Sequence, residues 1–249
     1  MLEREARGRV VVLRMAHGKV NALDLELLTA LTGALDELAA DAPPLVLTGR
    51  GGTFSAGVDL RRIATGTSRY VDEYLHALST AFCTLFRYPG PSVAAVNGHA
   101  IAGGFVLAAA CDHRVAAEGA GRLGLSELQV GVPFPTSAIE IVRYAVGTPM
   151  ARTLALSTDL LDVAAAARAG LVDETVAPDD LIDTAVARAG IRFDRGAQAY
   201  RLAKRQLQRP AWDNIERAAP GEEARMRAVW AQPASMERIR GFLDGLANR

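Results

Sequence analysis

Apolar positions along the chain follow two alternating patterns. Arg9–Met15 is rich in β-branched residues and lies between Gly8 and Gly18, which predicts a strand. From Asp24 the pattern becomes helical: Leu27, Leu28, Leu31, Leu35 and Leu38 recur on one face until Pro43 and Pro44 stop the run. LVLT (45–48) reads as a buried strand, GRGGTFSAG (49–57) as a glycine-rich turn, and helical character returns at Asp59. A further helix is predicted over 71–87, ahead of Pro89 and Pro91, followed by a strand at Ser92–Val96. GGFVLAAACD (103–112) then reads as a helix and HRVAA (113–117) as a strand. Strand, turn and helix recur three times, the pattern of an α/β fold with strands covered by helices.

Beyond Thr136 the pattern is mostly helical, with segments expected at 136–146, 149–157, 162–169, 179–189, 195–208 and 222–246. LVDETV (171–176) is the one further strand expected. This divides the chain into a core domain, 1–190, and a helical region, 191–249. The last segment keeps Met226, Val229, Trp230, Met236, Ile239, Phe242, Leu243 and Leu246 apolar, so it has a surface to cover, on its own core or on a neighbouring subunit.

Composition narrows the classes. Of 249 residues, 50% are hydrophobic and 22% charged, ordinary values for a globular domain. Twenty-eight basic residues balance 28 acidic ones, which argues against a nucleic-acid partner. Cys83 and Cys111, both in apolar surroundings, leave no disulfide framework and point to a reducing, cytoplasmic setting. The charged N-terminus has no apolar core of a secretory signal, and Pro91–Cys111 is too interrupted to span a membrane. The histidines show no metal-ligand spacing, so no metal is expected.

Two turns carry candidate chemistry: TFSAGVDL (53–60) and NGHAIAGGFVLAAACD (97–112). Neither is a phosphate-binding P-loop or a dinucleotide fingerprint. Each offers exposed backbone, and a helix starting at Gly103 points unpaired N–H groups outward. Two such groups converging from separate turns would make an oxyanion hole. Taken singly, each turn also reads as ordinary strand–helix punctuation.

The pair, FSAGVDL followed by AVNGHAIAGG…L…CD, resembles the two signatures of the crotonase (enoyl-CoA hydratase/isomerase) superfamily. The similarity extends to GKVNALD (18–24), GLSELQVGV (124–132) and AGLVDETV (169–176). It implies a spiral of ββα units, a C-terminal helical region that builds homotrimers or hexamers, and an acyl-CoA substrate. Coenzyme A would then be part of the substrate, with no separate cofactor. By position, the resemblance gives the oxyanion donors to Ala56 and Gly103. It places Lys19, Val20, Ala22, Leu23, Ser55, Gly57, Val58, Asp59, Leu60, Gly104, Val106 and Phe134 against the substrate. Arg61 and Arg62 could meet its phosphates, although both also read as plain surface.

Hydratases of the superfamily carry two glutamates. The position of the first is Val106 in this chain, whereas the second is present as Glu127. Hydration needs a held water and a proton donor, a task for two carboxylates, whereas a 1,3-proton shift needs one base. The resemblance therefore implies a Δ3-to-Δ2 enoyl-CoA isomerase working through Glu127. The alternatives are a hydratase using Glu127 with an unidentified acid, Glu118 or Glu140, and a non-catalytic acyl-CoA binder. Glu127 also reads as a surface loop glutamate; among Leu123, Leu125, Leu128 and Val130, partial burial would raise its pKa. Asp59 and Asp112 are read as holding a turn or a helix end, His99 as structural, and Tyr74 and His76 as substrate contacts without chemistry.

Overall fold

The structure, a computed structural model, describes residues 1–194 and 196–247, apart from the side chains of 218–220, 222 and 247. A six-stranded sheet runs in the order β1 (Leu2–Arg7), β2 (Val10–Met15), β3 (Leu45–Gly49), β5 (Ser92–Val96), β7 (His113–Ala117), β10 (Glu174–Val176). β1 and β2 form an antiparallel hairpin, and every later pairing is parallel. Parallel strands buried on both faces read as continuous apolar runs, as in VVVL and LVL. One face carries Val10, Val12, Val46, Val93 and Val115 and is covered by Leu181, Ala185 and Ala189 of α7 (Leu181–Asp194). The other face meets α1 (Leu25–Ala39), α3 (Ser68–Arg87) and α4 (Gly103–Ala110) in the main core.

A second, four-stranded sheet was not expected from the sequence. It comprises β4 (Thr53–Ser55), β6 (His99–Ile101), β8 (Arg122–Gly124) and β9 (Leu161–Asp162). β3, β5 and β7 each run directly on into β4, β6 and β8, and a helical segment follows each pair. After β4 comes α2 (Leu60–Thr65) and after β6 comes α4. After β8 come a 3-10 turn at Glu127–Val130 and α5 (Thr136–Ser157). This repetition is the spiral of ββα units. β4, β6 and β8 are parallel, so the segments at 56–59, 102–103 and 125–127 leave one edge side by side. Ligands of open parallel sheets bind at that carboxyl end.

Several boundaries differ from expectation. The helices expected at 136–146 and 149–157 are one element, α5, kinked where Gly147 takes φ 76° ahead of Pro149. The strand expected over 171–176 is confined to Glu174–Val176, because Leu171 and Val172 pack into the main core ahead of it. The helices expected at 195–208 and 222–246 are replaced by a 34-residue α8 (Ala197–Trp230) and by α9 (Pro233–Ala247), split near Pro233. Residue 195, the expected start, lies outside the described residues. α6 (Val163–Arg168) follows β9. Trp230 and Ile239 enter the main core, so the C-terminal helices share it with the sheet. Asp112 ties them down: its Oδ2 accepts from Ser92 N–H (2.9 Å), Tyr200 Oη (2.9 Å) and Lys204 Nζ (2.9 Å).

Candidate active site

The three segments converge because glycines let them touch. A Cβ on Gly104 would lie 2.3 Å from Ser55 O, so only glycine lets α4 dock on β4. Gly57, at φ 81°, packs where a Cβ would meet Ile101 O at 2.7 Å and Gly103 N at 3.3 Å. The two turns read from the sequence are therefore in contact. Ala102 opens α4 at φ 53° and ψ −126°, a strained conformation for a residue with a Cβ. It is held there by its N–H to Gly124 O (2.8 Å), and its carbonyl accepts from Phe105 and Val106.

The backbone donors are redistributed relative to expectation. Ala56 N–H donates to Val20 O at 3.0 Å, so it is already engaged and cannot serve an oxyanion. Val58, two residues on, bridges Leu23, whose neighbours take the surrounding bonds: Leu23 N–H to Gly57 O (2.7 Å) and Asp59 N–H to Leu23 O (3.1 Å). Among the described residues no acceptor takes the N–H of Val58 or of Gly103. Their two turns touch at Gly57. Sequence reading placed Val58 at the site but not in this role, because strand-like pairing two residues ahead of a helix leaves no local signal.

Two adjoining cavities share this region. One, about 290 Å³, is bordered by Ile101, Ala102, Ser126 and Glu127, and also by Val130, Val132, Leu160 and Trp230. The other, about 390 Å³, is bordered by His17, Lys19, Val20, Ala22, Asp59 and Arg61. Ala56, Val58, Leu60, Phe242 and Leu246 border both, so α9 roofs the passage between them. The first cavity is apolar and the second carries cationic side chains. Trp230, Phe242 and Leu246 were legible only as an apolar face needing a surface, and Leu160 gave no signal.

Glu127 is the one titratable side chain among the described residues bordering the apolar cavity. It is 8% exposed, and its Oε2 accepts from Ser126 N–H at 2.9 Å. Burial pushes its carboxyl up to about 7, because desolvation outweighs the backbone hydrogen bonds that favour the charged form.

The other expected site residues divide. Lys19, Val20, Ala22, Val58, Asp59 and Leu60 border a cavity, Asp59 also capping α2 by accepting from Arg61 and Arg62 N–H. Leu23 and Gly57 stand behind the wall, with Leu23 Cδ1 against Gly103. Ser55 and Gly104 are structural. The Ser55 hydroxyl donates to Asn21 O (2.7 Å) and accepts from Gly57 N–H (3.1 Å). Val106 is fully buried inside α4 and borders neither cavity. Phe134 faces a separate groove with Met226 and Val229. Arg61 borders the cationic cavity, whereas Arg62 is drawn to Glu26 and Asp24.

Neither proposed second acid reaches Glu127. Glu140 is held by Arg143 Nη1 (2.6 Å) and Asn214 Nδ2 (2.9 Å), and Glu118 is exposed beside Asp162 and Thr175. Tyr74 is buried with its hydroxyl unpartnered and His76 is exposed; neither borders these cavities. Sequence reading missed Asn21. Its side chain donates to Thr53 O (2.8 Å) and accepts from His17 N–H (3.0 Å), fixing the segment that carries Lys19 to Leu23.

Residues 5–245 match the enoyl-CoA hydratase/isomerase family. The chain belongs to that family. A relative from Thermus thermophilus named a putative enoyl-CoA hydratase is 40% identical over 192 residues, 75% of each chain. Among solved structures, human mitochondrial Δ3-Δ2-enoyl-CoA isomerase superposes with a TM-score of 0.94 at 24% identity, covering 99% of this chain and 98% of that one. A Mycobacterium tuberculosis enoyl-CoA isomerase superposes with a TM-score of 0.78 at 27% identity, covering 96% and 97%. Members of this one family thus carry both names. No helix among the described residues is long and apolar enough to cross a membrane.

Proposed function

We propose that this family member shifts the double bond of a 3-enoyl-CoA to the 2 position with Glu127 as the single base. The observation that carries the reading is the lone carboxyl on an apolar cavity beside two unengaged N–H groups. In this reading the thioester oxygen accepts from Val58 and Gly103 N–H, with Val58 replacing Ala56 as donor. Ionised Glu127 removes a proton from C2, and the electrons spread into the thioester as a dienolate. The two N–H groups stabilise the charge that develops on oxygen. The protonated carboxyl then returns its proton at C4, leaving the double bond between C2 and C3 with no change in composition. A carboxyl near 7 suits both steps, because giving and taking the proton are then nearly balanced at neutral pH.

The adjoining cationic cavity, with Lys19 and Arg61, takes the phosphate-bearing part of coenzyme A. Coenzyme A belongs to the substrate, no metal takes part, and the family assembly, a homotrimer or a dimer of trimers, is the quaternary state expected. The second reading is hydration of a 2-enoyl-CoA, favoured by the name of the 40%-identical relative. It needs a second acid, and Glu118 and Glu140 are both directed elsewhere.

Absorbance of the conjugated thioester separates the two. With 3-hexenoyl-CoA the signal should grow, and with 2-hexenoyl-CoA it should hold steady. Glu127→Ala should abolish the growth; full activity in that variant would overturn the mechanism. Val106→Glu should lower the melting temperature, since a carboxyl replaces a fully buried side chain that borders neither cavity.

A further inference from the structure

We propose that Trp230 sets the length of the acyl chain, restricting the protein to short and medium acyl groups. The inference rests on assigning the apolar cavity to the acyl part of a CoA thioester. Substrate entering from the cationic cavity passes the residues common to both cavities, Val58 among them, and its acyl end meets Val130, Val132, Leu160 and Trp230, which border the apolar cavity alone. Of these four, Trp230 is the largest and the one held by a directional bond.

Its indole is 1% exposed, and Nε1–H donates to Pro133 O at 3.0 Å. The bond ties the last residue of α8 to the loop that supplies Val130 and Val132, so ring and loop fix one another. The helix corner is closed on its other side by the Ser235 hydroxyl, which donates to Val229 O at 2.7 Å. The Arg238 side chain packs against Gly131 of the same loop, where a Cβ would stand 2.7 Å from Nη1. A buried ring tied to Pro133 resists swinging aside for a longer chain, since packed interiors yield little.

The cavity volume, about 290 Å³, sets the scale. It lies at the small end of ligand pockets, which run from about 300 to 1,000 Å³. A space of that size suits a short or medium acyl chain better than a long one. Each methylene that fits or fails to fit changes selection by roughly tenfold or more.

Binding of hexanoyl-CoA and dodecanoyl-CoA by calorimetry tests this alongside turnover of 3-hexenoyl-CoA and 3-dodecenoyl-CoA. The wild-type chain should favour the six-carbon ligand at least tenfold. Trp230→Leu, which replaces the indole with a smaller side chain, should narrow that ratio at least tenfold by gaining on the longer ligand. Trp230→Phe keeps a ring in the core, guards against a folding failure, and should shift the ratio in the same direction by less. Equal affinity of the wild-type chain for both ligands would overturn the proposal, as would variants that weaken both ligands equally. Chain-length-dependent binding without turnover of either enoyl-CoA would leave Trp230 as the gauge and remove the isomerase reading instead.

Discussion

Replacing Glu127 with glutamine tests the physics of the site apart from its chemistry. Glutamine keeps the shape, and its Oε1 can accept the Ser126 N–H that now reaches the carboxyl at 2.9 Å. What changes is the charge. The folded chain raises this carboxyl from 4.5 to about 7, so its ionised form is less favourable in the native state than in the unfolded one. The difference is on the order of 3 kcal/mol above pH 7. The sign follows from where the proton sits. Below about 4.5 both states are protonated and the wild-type chain bears no penalty. Between 4.5 and 7 only the unfolded state ionises, and above 7 the penalty is complete. Glutamine bears no such penalty, so the stability of Glu127→Gln relative to wild type should climb through this window and then level off. For a chain of this size the climb corresponds to roughly 6–12 °C in melting temperature. Thermal unfolding followed by circular dichroism at pH 4, 5.5, 7 and 8, at matched protein concentration, reads it directly. The same carboxyl should appear in the pH–rate profile, with kcat/KM for the 3-enoyl substrate falling as pH drops through about 7. Parallel stability curves for the two proteins across pH 4.5–7 would refute the apolar environment assigned to Glu127, whatever its role in turnover.

Two other perturbations probe the scaffold that holds the donors. Gly104→Ala places a Cβ 2.3 Å from Ser55 O, pushing α4 off β4 at a cost of about 1–3 kcal/mol and disabling the Gly103 donor. Gly33→Ala, at an exposed position of α1 with nothing nearby, should instead stabilise by about 0.5–1 kcal/mol. Equal melting shifts in the two variants would contradict the close approach at Gly104. Asp112→Ala removes the partner of buried Lys204 and should cost about 3–5 kcal/mol, read as a lowered urea midpoint. A midpoint unchanged by that substitution would show that the pair does not anchor α8.

Long periodic segments were legible because burial on one face leaves its period in the residues. The leucines of α1 and the apolar runs of β2, β3 and β5 are of this kind. The whole second sheet was not, since β4, β6, β8 and β9 are two or three residues long and no period can be read over that length. β1 was hidden for another reason: LEREAR is mostly exposed and charged, and it is held as a strand chiefly by its pairing with β2. α8 was read as two pieces because Pro210 and Gly221 break the local helical pattern, whereas packing against α5 and the core overrides them.

For the site, the amino-acid sequence by itself determined the inventory: a family signature, a glutamate at 127, a valine at 106 and two glycine turns. Those are matters of residue identity and spacing. Which N–H groups are unengaged was decided only by tertiary structure, because Ala56 is paired off by Val20, 36 residues away in the chain. Tertiary structure also turned a loop glutamate into a carboxyl that titrates near neutrality, since its desolvation comes from distant elements that wall the cavity. It likewise set a C-terminal tryptophan on the apolar cavity that adjoins the one bordered by His17, Lys19 and Val20. Local chemistry is written along the chain, but desolvation and hydrogen-bond competition belong to whatever the fold brings alongside.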